Sequence, residues 1–386
     1  MLNSESKIIL LLTGASHFSV HASMLIFPAI MITLQDYFNV GLDTLGWMYM
    51  LSSFMFGLGS IPAGFLENRF GGRNLLVVFQ IGASISGLII IFANDLTIMT
   101  LGMMLMGLSA SIYHPAGLTI ISRRVRQTSK GMGYHGIAGS LGLAVGPLLA
   151  AWFSTILDWR FAYLSMIVFW VILSVATFFL IPSEHIRVDV QGKITPKRSK
   201  IKPLVTYYVI TSLVGLAFTG FITYMPIFFS NNAYSFHFIN DKIFAGGIAT
   251  TIVLISGIPG QYFGGKWGDS YSKTRILFIT CLMHIPLLLV FYYSSGLIIL
   301  ISGILLGFVH FIYQPIGNAM IAEYTSSSSR GIGYGFSFFL SFGVGSFASG
   351  VGGVVAVQYG VSAVFLFVAL LMLIATITSV FLMRIE

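Results

Sequence analysis

Long apolar runs alternate with short polar segments along the whole chain. A helix rises about 1.5 Å per residue and needs about 20 apolar residues to cross a bilayer. Twelve stretches meet that requirement, the first six at 8–34, 43–66, 73–94, 98–122, 132–155 and 160–182. The second six fall at 204–229, 243–265, 275–292, 297–322, 331–355 and 361–383. Backbone groups in lipid must be satisfied within their own segment, so the spacing predicts helices. The first run extends to Ile32, longer than the apolar part of a signal peptide, and is expected to remain as an uncleaved first span. The longest polar stretch lies between Pro182 and Pro203. It divides the chain into a six-helix bundle (1–182), a linker (183–203) and a second bundle (204–386).

Composition narrows the class. Of 386 residues, 56% are hydrophobic and 8% are charged, against about 25% charged in ordinary soluble domains. Such a chain cannot cover a soluble enzyme's surface, remain disordered or present a basic face to nucleic acid. The net charge of +8 follows from topology. With the N-terminus in the cytoplasm, eighteen of the 20 Lys and Arg fall in cytoplasmic segments, leaving only Arg160 and Lys242 outside. Both termini are therefore expected to be cytoplasmic, in a multi-pass cytoplasmic (inner) membrane protein. The lipid bilayer and a small-molecule substrate are the expected partners, with no nucleic acid and a monomer as the working unit. The single cysteine, Cys281, forms no internal disulfide.

The two halves repeat at an offset near 200. Tyr113, Pro115 and Gly117 correspond to Tyr313, Pro315 and Gly317. Lys130-Gly131-Met132-Gly133-Tyr134 corresponds to Arg330-Gly331-Ile332-Gly333-Tyr334. Gly64 and Asn68 correspond to Gly265 and Asp269. Six spans separate the copies, so they share one orientation. Transporters built on such parallel repeats bind solute near the midplane, between the halves.

These residues resemble the major facilitator superfamily across essentially the whole chain. Between spans 2 and 3 the family carries a Gly-x-Leu-Ala-Asp-Arg-x-Gly-Arg-Arg-like segment. Here Gly64, Leu66, Arg69, Gly71 and Arg73 match, with Asn68 where the family has Asp. The resemblance implies a cytoplasmic gate at Gly64, Asn68, Arg69, Gly71, Arg73, Gly265 and Asp269, in which a carboxylate or amide caps a helix of the opposite half. A tight turn carrying positive-inside charge would use the same residues. Span 5 resembles the family's antiporter motif at Gly133, Gly142, Gly146 and Pro147, with Ala150 and Ala151 in place of its last glycines. In the family that motif accompanies exporters more than importers. The Arg that many proton-coupled drug exporters carry in span 4 is Met103 here. Tyr113-His114-Pro115-Ala116-Gly117 and Gly133-Tyr134-His135-Gly136 resemble the fosmidomycin-resistance-like exporters. The implied fold is all-α, with 12 transmembrane helices in two parallel six-helix repeats.

An ionisable residue inside a membrane is a functional candidate by default. The acids all lie in loops or near span ends, so histidine is what remains at depth. His17 and His21 share one face of span 1. His114 on span 4 should sit at the depth of His17, each about 6 Å to the cytoplasmic side of its span's middle. His310 is central on span 10, with Gln314 one turn further in. The resemblance places spans 1, 4, 7 and 10 around the cavity. Candidate cavity residues are therefore His17, His21, Tyr113, His114, Thr223, Tyr224, His310, Tyr313 and Gln314. Imidazole titrates near neutrality and also donates hydrogen bonds, so the histidines suit a proton, a substrate or both. His284 is read as structural and His135 as part of the gate. Three histidines also raise a metal reading; with no carboxylate or cysteine at depth, no metal site is assigned.

The expected function is a secondary active transporter of a small organic molecule, working by alternating access and coupling efflux to proton entry. No cofactor is expected beyond the proton. The alternative is uptake or facilitated diffusion of an organic anion, with metal transport ranked lower. No catalytic set or nucleotide-binding loop points to an enzyme.

Overall fold

The structure, a computed structural model, describes residues 4–125, 128–182, 200–232, 241–326 and 330–386. Most of the linker at 183–203 lies outside the described residues. Twelve helices among those described are long and apolar enough to cross a membrane. Spans 1 to 6 are Ser4–Ala29, Leu42–Glu67, Gly72–Ile91, Leu96–Arg124, Gly131–Ile156 and Arg160–Leu180. Spans 7 to 12 are Ile201–Asn231, Lys242–Ser270, Lys273–Tyr293, Leu297–Tyr324, Ile332–Tyr359 and Val361–Ile385.

Several helices run past the apolar windows. The helix of span 2 continues to Phe70, and span 8 continues to Ser270. The glycine-rich segments beginning at Gly64 and Gly265 are thus mostly final helical turns rather than loops. Charged residues are costly in hydrocarbon but not beyond it, so a helix can extend into the headgroup region after its apolar pattern stops. The turn itself is made by Gly71, whose φ of 78° and ψ of 151° belong to a region open essentially to glycine alone.

Packing reproduces the sequence repeat. In the first half span 1 lies on 5 and 6, span 2 on 4, and span 3 on 4 and 6. In the second half span 7 lies on 11 and 12, span 8 on 10, and span 9 on 10 and 12. Two seams join the halves: span 2 against span 11, and span 5 against span 8. Both seams are tight at the end of the bundle remote from the chain termini. A β-carbon at Gly46 would collide with the Ser349 carbonyl, and one at Gly353 with the Leu42 carbonyl. Thr251 Oγ1 donates to the Ala144 carbonyl at 2.6 Å. Span 2 stays close to span 11 as far as Gly57, where a β-carbon would collide with the Gly343 backbone; nearer the termini a polar pair of the second half lies beside the first. Gln261 Nε2 donates to Gln314 Oε1 at 3.0 Å, beside Gly136 of the other half, and Gln314 is exposed.

Prolines shape the repeats unequally. Pro115 has no N–H for the Ser111 carbonyl and its ring crowds that group. Span 4 accordingly divides at Ile112 into Leu96–Ser111 and Tyr113–Arg124. Span 8 divides at Ser256, four residues after Ile252 and three before Pro259. Span 10 keeps Pro315 inside one continuous helix, Leu297–Tyr324. Span 11 instead loosens into a π-helical stretch, Phe339–Val344.

Candidate functional site

The break in span 4 presents Tyr113 and His114 to span 1, where His17 and His21 share a face. The ring centroids of His17 and His114 are 5.1 Å apart, and those of His21 and His114 are 5.6 Å apart. His135 of span 5 joins them, its ring stacked on His17 at 4.0 Å. All four histidines are buried, with His17, His21 and His114 only 7–8% exposed.

Two backbone carbonyls order this cluster, because a carbonyl only accepts. His17 Nδ1 lies 2.7 Å from the His135 carbonyl oxygen and therefore carries a hydrogen. In the neutral ring His17 Nε2 is then an acceptor, and it receives His21 Nε2–H at 3.0 Å. His21 Nδ1 is left with a lone pair and no hydrogen-bond partner, and His114 Nε2 also lacks a partner. Tyr113 donates its hydroxyl to the Thr13 carbonyl at 2.6 Å, so its oxygen accepts from His135 Nδ1 at 3.1 Å. One ring nitrogen from each of His17, His21 and His114 lies within 4.8 Å of the others.

The second half contributes the cover. Phe338, just before the π-helical stretch of span 11, lies 4.7 Å from the His114 ring. Phe342 in that stretch packs at 5.1 Å on Phe56 of span 2, itself 5.9 Å from His114. A π-helical insertion re-aims side chains and is frequent at functional sites. Here it places two phenylalanines of one half over a polar cluster of the other.

His310 does not join this group. Its Nδ1 lies 3.3 Å from His284 Nε2, and its ring stacks on Phe218 at 4.1 Å. The described histidines thus form one group in each half. Tyr313 repeats the part of Tyr113 in its own half. It bonds Thr211 Oγ1 at 2.8 Å and the Tyr207 hydroxyl at 3.1 Å, both on span 7. Thr223 turns its hydroxyl back onto its own helix at the Thr219 carbonyl, 2.6 Å away. Tyr224 donates to the Ser349 carbonyl at the tight remote end. Met103 is buried, its carbonyl accepting from Ser52 Oγ at 2.7 Å and its sulfur facing the Tyr163 hydroxyl.

At the terminal end Glu67, rather than its neighbour, carries the charge. Its carboxylate lies 2.9 Å from Arg123 at the end of span 4, with side-chain exposures of 4% for Glu67 and 44% for Arg123. The Asn68 side chain lies outside the described residues. In the second half Glu323, the repeat partner of Arg123, pairs with Lys273 at 2.6 Å, so the position keeps an ion pair with the sign reversed. Arg69 is exposed over the Phe70 ring, and Arg73 lies over Phe178 while bonding Asn74. Asp269 is exposed, and β-carbons at Gly64 or Gly265 would meet nothing. Replacing Arg123 by alanine removes a guanidinium from a buried carboxylate and should cost about 1–2 kcal/mol. Thermal unfolding in lipid nanodiscs checks this, with Glu67→Gln in the same chain expected to restore most of the loss.

The span-5 glycines have a direct use. β-carbons at Gly142 and Gly146 would strike the Phe18 and Ala22 carbonyls of span 1, and one at Gly139 would strike the His17 ring. Gly133 faces open space. His135 lies on the same helical stripe as Gly139, Gly142 and Gly146. That spacing was a legible sign that His135 faces span 1. Phe338 had no comparable sequence signal, because its placement depends on how the halves meet. Gln80 was also missed; it is fully buried in span 3 and donates to Ser16 and Thr177 at 3.0 Å each.

Comparison with known proteins agrees with this architecture. A family model described as the Major Facilitator Superfamily matches residues 12–297 and 242–386. The chain is 24% identical over 308 residues to the fosmidomycin resistance protein of Escherichia coli, covering 76% of this chain and 73% of that one. It is 27% identical over 201 residues to the uncharacterized MFS-type transporter YhcA of Bacillus subtilis, over 50% of this chain and 37% of that one. It is 24% identical over 253 residues to the quinolone resistance protein NorB of Staphylococcus aureus, over 59% of this chain and 53% of that one. The chain thus spans well under two thirds of YhcA and NorB. Among solved structures, a bacterial homolog of the human lysosomal transporter Spinster, inward-facing and unoccupied, matches with a TM-score of 0.81 at 10% identity, over 99% and 98% of the two chains. The human organic anion transporter MFSD10 matches at 0.73 and 14% identity, over 98% and 100%. With twelve spans in two parallel repeats and a family model matched along nearly its whole length, the chain belongs to the major facilitator superfamily.

Proposed function

We propose that this protein exports a small organic molecule by alternating access between its two six-helix halves. The carrying observation is the uneven seam. Backbone meets backbone between the halves from the remote end as far as Gly57 and Gly343, whereas Gln261 and exposed Gln314 mark the terminal end. With the termini in the cytoplasm, a placement that the basic loops support, the looser end of the seam faces inward. The buried histidine cluster and its phenylalanine cover lie between the two seams, as the polar part of the solute path. Two relatives named for resistance to fosmidomycin and quinolones support the outward direction. Export against a gradient needs a driving force. The sequence has no nucleotide-binding loop, and proton entry is the coupling reaction we favour.

Proteoliposomes holding a pH-sensitive dye test the reading across a panel of fosmidomycin-like and quinolone-like compounds. Compound-dependent proton movement, with labelled solute moving the opposite way, is the expected result. Solute movement indifferent to the proton gradient would rule out the coupling, and no movement of any compound would rule out the solute class. A second reading, passage of an organic anion without proton exchange, is favoured by the lack, among the described residues, of any acid deep within a span. It predicts flux that follows membrane potential in the same assay.

A further inference from the structure

The His17, His21 and His114 cluster has two features that a solute path alone does not explain. One of its ring nitrogens, His114 Nε2, is buried without a partner. A buried polar group left unpaired is costly and calls for a reason. The other feature is spacing. Two imidazole nitrogens bound to one tetrahedral metal ion at about 2.0–2.1 Å each lie about 3.3 Å from one another. His17 Nε2 and His21 Nε2 stand 3.0 Å apart as a hydrogen-bonded pair, a bond the ion would replace with the His21 hydrogen moved to Nδ1, and the third histidine offers a nitrogen within 4.8 Å.

The surroundings hold the rings as a metal site requires. The His135 carbonyl accepts from His17 Nδ1 at 2.7 Å. That bond fixes the tautomer that turns the Nε2 lone pair toward the cluster. The His17 ring is clasped between His135 and Gly139, and Phe56 and Phe338 flank His114. Two histidines four apart on one helix face, with a third from a neighbouring helix, form a familiar three-nitrogen set that leaves a position open.

We propose that His17, His21 and His114 bind a divalent transition-metal ion whose remaining position is filled by an anionic oxygen of the transported solute. Imidazole ligands suit zinc, cobalt, nickel, copper or iron rather than magnesium or calcium. The second half of the proposal follows from charge. Three neutral ligands leave the ion's double charge uncompensated in a membrane interior, where charge is expensive. Among the described residues every Asp and Glu lies between spans or at a span end, and Glu67 is already paired with Arg123. The compensating anion must then come with the cargo. The substrate class becomes a small anionic metal-chelating molecule. This part rests on the export reading above; the metal site itself does not.

The test uses the full chain, purified without a histidine tag and placed in lipid nanodiscs. Metal is stripped with chelator and Co²⁺ is titrated in, followed by visible absorption and elemental analysis. A single Co²⁺ per chain with the strong absorption of four-coordinate cobalt, displaced by Zn²⁺, is expected. His21→Gln and His114→Gln should each weaken binding by about 10-fold or more, while His284→Gln leaves it unchanged. Unaltered elution and melting of each variant separates loss of ligand from loss of fold. Added acetohydroxamate should change the cobalt spectrum of the wild type. Absence of stoichiometric binding, or binding indifferent to His21 and His114, overturns the site. Binding with no response to acetohydroxamate overturns the anionic partner. Export measured in parallel in chelator-treated vesicles keeps the outcomes apart, since transport without metal binding would leave the export reading standing.

Discussion

Gly142→Val should abolish recovery of folded protein. The glycine lies where span 5 crosses span 1, and a β-carbon there would occupy the space of the Phe18 carbonyl. The obstacle is backbone, which cannot rotate aside as a side chain can. Overpacking in a well-packed core typically costs about 1–3 kcal/mol, and a valine against a fixed carbonyl should reach or exceed the top of that range. Membrane helices depend on such close approaches because lipid supplies no hydrophobic force between them. Loss of the monodisperse peak on gel filtration, with lowered melting in detergent, is the expected reading. Gly133→Ala is the control: nothing surrounds that position, so its effect should stay within about 0.5 kcal/mol. A normally folded Gly142→Val protein would refute the proposed packing of span 5.

The same kind of substitution across the seam between halves should do something different. A β-carbon at Gly46 would strike the Ser349 carbonyl and the Tyr224 hydroxyl. Span 2 and span 11 belong to separate bundles, each with its own core contacts. Gly46→Val should therefore wedge the remote end open without unfolding either half. An energy change of about 1.4 kcal/mol shifts a two-state equilibrium tenfold, and overpacking of this type supplies at least that much. A cysteine at Thr251, which is buried in the seam and bonded to Ala144, reports the opening in a Cys281→Ser background. Maleimide labelling of Thr251→Cys should rise about 10-fold or more when Gly46→Val is added, with the melting temperature nearly unchanged. Unchanged labelling would show that the remote seam does not control access. Gly265→Ala, a change into open space, should leave labelling as it was.

The twelve spans, their division into halves and the parallel repeat were legible in the chain before any coordinates. Span length is set by bilayer thickness, and the apolar runs record that length directly. The repeated Tyr-x-Pro-x-Gly segments mark equivalent turns of spans 4 and 10. The similar depth of His17 and His114 was also accessible, because helical rise converts sequence position into depth. Depth alone did not say which histidines touch. His310 stands near the middle of its span, yet it pairs with His284 at 3.3 Å. Which face of a helix turns inward depends on its neighbours, and no single span records that.

Other features required the assembled molecule. Glu67 lies beside the position where the family motif carries its acid, and its partner Arg123 is 56 residues away. Only the crossing of spans 2 and 4 brings them together. Phe338 covers the histidines of the other half through a π-helical stretch whose hydrogen bonding the sequence pattern does not announce. By itself the sequence determined length, apolarity, repeat and depth, because each of these follows from one helix in one bilayer. Tertiary structure alone decided which nitrogens are left without partners and where the halves close, because both depend on several helices crossing at once.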